Sequence, residues 1–89
     1  MQVASEIQSN LNNLKYYQSK IAELAKQQFQ LDMTRDNENS KAKGIRLDCL
    51  GTIIANCSQI DLWTMSIAAN LETATKQDKL LQTEEEELV

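Results

Sequence analysis

Apolar residues recur in the first third of the chain at alternating steps of three and four. Val3, Ile7, Leu14, Tyr17, Ile21, Leu24 and Leu31 keep that spacing, and Asn10 and Gln28 fill its two polar gaps. In heptad terms Ile7, Leu14, Ile21 and Gln28 take position a, and Val3, Asn10, Tyr17, Leu24 and Leu31 take d. A period of 3.5 predicts an amphipathic helix over residues 1–33 with this stripe as its seam. Lys15, Lys20, Glu23 and Lys26 fall away from it. Ser5 and Gln8 have the spacing of a capping box, although a start nearer Met1 serves equally well.

The pattern returns over residues 46–82. Leu50, Cys57, Thr64, Leu71 and Asp78 take a, while Ile53, Ile60, Ile67, Ala74 and Leu81 take d. Spacings of three and four, rather than two, make this a helix despite its isoleucines. Between the two runs, residues 34–45 form a polar connector, where Asp36, Asn37, Asn39 and Ser40 favour turns and helix starts. The heptad also slips there: the first register would put an a position at Cys49, and the second puts it at Leu50. With no proline in the chain, one continuous helix remains the alternative. Residues 83–89 leave the pattern, and the run Glu84–Glu87 predicts a self-repelling, disordered tail.

These runs imply an all-α protein, an antiparallel two-helix hairpin of coiled-coil type. Such a hairpin has one seam, and the second helix has more apolar surface than one seam covers. Ala55, Leu62, Met65 and Ala69 sit at b and f, opposite the expected seam, while Ile54 and Trp63 widen the stripe at e and g. A helix apolar nearly all round demands burial on more than one face. The candidate partner-binding residues are therefore Ile54, Leu62, Trp63, Met65 and Ala69, with self-association or a partner helix completing the fold. Gly51 costs about 1 kcal/mol in a helix interior relative to Ala; a close helix crossing would explain it, as would drift.

Composition narrows the function. The 89 residues carry nine Lys and Arg against thirteen Asp and Glu, for a net charge of −4. The four glutamates at 84–87 account for all of it, so the body is balanced. That disfavours nucleic-acid binding, which draws on surplus basic residues. No stretch of about 20 residues is apolar enough to span a bilayer. Residues 1–5 lack the basic and apolar regions of a secretory leader, so a cytoplasmic location is expected. There is no histidine, and no nucleotide loop, nucleophile set or C-x-x-C pair. We expect no enzyme, no catalytic residue, no metal, no cofactor and no small-molecule substrate. Cys49 and Cys57, eight residues apart on a helix, would stand about 12 Å from each other, too far for a disulfide. They are expected to be buried, reduced thiols.

What remains is a small helical protein–protein interaction module, an adaptor or dedicated chaperone covering an amphipathic segment of a partner protein. The alternative is a structural subunit of a homo-oligomer or filament. A regulator that sequesters a larger protein is a third, weaker fit.

Overall fold

Nothing in the first thirty-odd residues stops a helix, since neither proline nor glycine occurs there. Helix α1 runs over Gln2–Arg35 and helix α2 over Ser40–Leu88. This computed structural model describes the backbone from residue 2 to 88 and the side chains from 3 to 87. Met1 and Val89, the ends of the expected first helix and tail, lie outside the described residues. The helices pack antiparallel as a hairpin, with no strand among the described residues.

The break is tighter than residues 34–45. Asp36 N–H donates to the Asp32 carbonyl at 2.8 Å and closes α1; Asn39 N–H donates to the Asp36 carbonyl at 2.9 Å and turns the chain. Asn39 then caps α2, its Oδ1 accepting from Ala42 N–H at 3.0 Å, which satisfies one of the donors every helix start leaves free. At the far end α2 does not stop before the glutamates but continues through them to Leu88. Glutamate is a good helix former, and the chain has no glycine or proline there to end the helix. Residues 76–87 are nevertheless exposed throughout.

The seam of α1 is not the expected one. Residues Ala4, Leu11, Gln18, Ala22, Ala25, Phe29 and Asp32 face α2, and Leu11 and Asp32 are buried. The stripe from Val3 to Leu31 is rotated away from α2: Val3, Leu14, Tyr17, Ile21, Leu24 and Leu31 are all about half exposed or more, and Ile7 is at the margin of exposure. On α2 the a positions Leu50, Cys57, Thr64 and Leu71 do face α1. Most of the d set does not: Ile53, Ile67, Ala74 and Leu81 are exposed, Ile60 is half-buried, and Ile54, Asp61, Ala68 and Thr75 take their places.

Ion pairs near the turn lie on the face of α1 that meets α2. Asp32 lies 2.9 Å from Arg35 and 3.6 Å from Arg46, and accepts a hydrogen bond from Gln28 at 3.1 Å. Asp36 lies 3.3 Å from both guanidiniums. These contacts draw the Asp32 face of α1 toward α2, and small residues at Ala4, Ala22 and Ala25 let the helices approach. Thr64, the least exposed side chain, donates its hydroxyl to the Asp61 carbonyl at 2.7 Å. Its polarity is thereby satisfied inside the seam. Both thiols are unpaired; Cys57 is buried as expected, but Cys49 is exposed, one position ahead of the seam residue Leu50.

The outcome is a long, thin molecule measuring 78 × 17 × 10 Å, with a radius of gyration of 21.4 Å. A compact chain of this length would have about 12 Å.

Candidate helix-binding groove

Two antiparallel helices make a single layer with two broad sides, and offsets from the seam assign residues to each. On α1, Ile7, Leu14 and Ile21 lie three residues after the seam positions Ala4, Leu11 and Gln18. On α2, Ile53, Ile60 and Ile67 lie three after Leu50, Cys57 and Thr64. Equal offsets on antiparallel helices fall on the same side of the layer. That side gathers most of the exposed aliphatic residues, interrupted by Asn10 and Gln28 on α1 and by Asn56 and Asn70 on α2. The groove near the turn on that side is lined by Gln28 and Phe29 of α1 and by Ile45, Cys49 and Ile53 of α2.

The opposite side is different in kind. An open groove of about 710 Å³ runs between the helices away from the turn. Leu11, Thr64, Ala68 and Leu71 form its floor, and Met65 and Ala69 stand on its α2 wall. Small residues at Ala4, Ala68 and Ala69 keep it wide. Lys15, Lys76 and Lys79 rise at its rim together with Glu72. Glu72 is paired with Lys76 at 3.2 Å, so among the described residues Lys15 and Lys79 leave the rim positive.

The five residues singled out from the sequence are split by this geometry. Leu62, Met65 and Ala69 share one face of α2 at steps of three and four, with Met65 and Ala69 lining the groove and Leu62 outside its lining. Leu62 and Met65 are 59% and 55% exposed. Trp63, equally exposed, points to the edge of the other, apolar side. Ile54 is half-buried and faces α1, because the seam took in position e in place of d. What sequence reasoning missed is the α1 contribution: Ala4, Gln8, Leu11 and Lys15 complete the groove. Their signal was present only as a second, weaker series every seven residues, Ala4-Leu11-Gln18-Ala25.

Electrostatically the groove is distinct from the turn. There the Arg35 guanidinium, with Arg46 in support, holds the Asp36 carboxyl below its ordinary value, and Asp36 in return holds the Arg35 proton more tightly. Among the described residues no group of His, Cys, Asp and Glu is arranged to hold a metal ion. No described helix is long and apolar enough to cross a membrane. No protein-family model, curated protein or solved structure matches this chain.

Proposed function

We propose that the protein is a small helical interaction module, an adaptor or dedicated chaperone that holds an amphipathic helix of a partner protein in the groove beside Leu62, Met65 and Ala69. The observation that carries this is the groove itself: an apolar floor with exposed Met65 on its wall and lysines at its rim, and exposed Leu62 one turn before Met65 on α2. A helix laying residues i, i+3, i+4 and i+7 along that floor would bury the exposed carbons. Lys15 and Lys79 favour a partner helix with acidic residues flanking its apolar stripe.

A library of amphipathic helical peptides selected against the full chain tests this. Selected peptides should share the apolar spacing and acidic flanks. Joint substitution Leu62→Ala and Met65→Ala should weaken them at least about tenfold, the equivalent of about 1.4 kcal/mol. Peptides that bind the doubly substituted chain as tightly as the original would remove the groove from the proposal.

A further inference from the structure

The apolar side is separate from the groove, and its pattern specifies what covers it. Accessible surface totals 7184 Å², whereas a folded monomer of this mass exposes about 5,300 Å². The excess is about 1,900 Å² per chain. Recovering only half of it from each of two chains would bury about 1,900 Å² in all, within the range of stable interfaces. Area alone does not name the occupant. The order of residues along α1 does.

In an antiparallel pair of helices each a position packs against a d position of the other. Centre such a pair of α1 helices on Ser19. Ile7 then meets Leu31 of the second copy, Leu14 meets Leu24, and Tyr17 meets Ile21. Asn10 and Gln28, each nine residues from Ser19, meet one another. Both polar interruptions of the stripe are thereby matched, amide to amide. A shift of one heptad in one direction sets Asn10 against Ile21 and Gln28 against Val3; in the other it sets Gln28 against Tyr17. Gln28 spends one N–H on Asp32, leaving its second N–H and its carbonyl for Asn10 of the copy.

The place of the second helix follows from the seam. Leu50 lines a groove with Ala25, and Thr64 lines one with Leu11, so the middle of α2 around Cys57 lies across from the middle of α1 around Gln18. A two-fold axis at Ser19 therefore passes close to Cys57, with Ile53 and Ile60 of α2 on either side of it and Asn56 beside it. Lys20 approaches Lys20 of the copy near the axis, where Glu23, 3.9 Å from that ammonium, offsets the repulsion.

We infer that two copies of this chain stack through their apolar sides, α1 on α1 and α2 on α2, as an antiparallel four-helix bundle with the turns at opposite ends. A self-matching stripe is what an isologous two-fold interface requires. The groove with Met65 and Ala69 stays on the outer surface, so the dimer does not depend on the partner-binding role.

Sedimentation equilibrium of the full chain across a concentration series, with helicity followed in parallel, tests the assembly. A mass of twice 10.1 kDa is expected. Asn10→Glu should weaken the dimer at least about tenfold by burying a carboxylate without a cationic partner. Adding Gln28→Lys should restore it to within about threefold, since only the Ser19-centred register brings the two substitutions together across the interface. Within one chain they lie about 27 Å apart along the helix. Joint Leu62→Ala and Met65→Ala should leave the dimer constant unchanged, separating it from any loss of partner binding. A mass of 10.1 kDa at all concentrations, a larger closed or open assembly, or a doubly charged variant no tighter than Asn10→Glu would each overturn the inference.

Discussion

Arg46, in the second turn of α2, sits 3.6 Å from the buried carboxylate of Asp32, one turn from the end of α1. Fourteen residues separate them in sequence, and the pair joins the helices just beyond the turn. The same guanidinium reaches Asp36 at 3.3 Å, so one side chain holds two carboxylates across the junction of α1 and α2.

Arg46→Met should loosen this junction. Arg46 is 44% exposed on its side chain, and Asp32 keeps Arg35 and Gln28, so solvent screening limits the loss. A melting temperature lower by about 2–4 °C is expected, as for a screened ion pair in a domain of this size. An unchanged melt, with α1 still shielded on its Leu11 face, would show that apolar packing alone sets the rotation.

The junction also predicts an acid response. Arg35 hydrogen bonding lowers the Asp36 carboxyl below its ordinary 3.8. A carboxyl depressed in the folded state contributes stability that is fully present above the unfolded value and is lost as pH falls through the folded one. Stability at this site should thus hold down to about pH 4 and decline below it. Asp36→Asn should flatten that part of the curve, read by thermal melts between pH 2 and 5.

How much of this was legible from the chain differs by element. Both helices and their break were, because the periods, the polar run and the capping asparagine are local. The rotation of α1 was not. Its heptad stripe marks the face that demands burial but does not say which surface buries it, and cross-helix contacts such as Asp32–Arg46 are invisible to periodicity. Ile54 was misplaced for the same reason, since a small rotation of α2 exchanges d for e. The outward face of Leu62, Met65 and Ala69 was legible because it lies farthest from either version of the seam. The glutamate run was read from charge repulsion alone, whereas helix propensity and an uninterrupted backbone carry α2 through it.

Gly51 supplies a test in the opposite direction from most substitutions. It has helical φ, and a methyl group built on it meets nothing within 4 Å. No close crossing inside the hairpin requires glycine. Gly51→Ala should therefore stabilise the fold by about 0.8–1 kcal/mol, the difference in helix propensity. A melt raised while selected peptides bind less tightly would place a partner backbone against this position.

The most informative contrast sets the seam against the exposed face of α2. Leu11 is 4% exposed and, with Cys57, makes up the fully buried apolar core among the described residues. Leu11→Ala removes carbons that water does not reach and leaves a cavity between two helices too long to collapse around it. A cost of about 2–4 kcal/mol is expected, a large share of the stability of a small domain. Leu62→Ala deletes as many atoms, but from a side chain already more than half in water, so its effect on the melt should stay within about 0.5 kcal/mol. Leu62→Ala should instead weaken peptide binding while its melt stays nearly unchanged. Chemical denaturation followed by circular dichroism ranks the two substitutions, and peptide titration well below the melting temperature reads the loss at Leu62. Equal destabilisation by both substitutions would mean that Leu62 is packed in solution, and its face of α2 would have to be assigned to the core of the fold rather than to a partner.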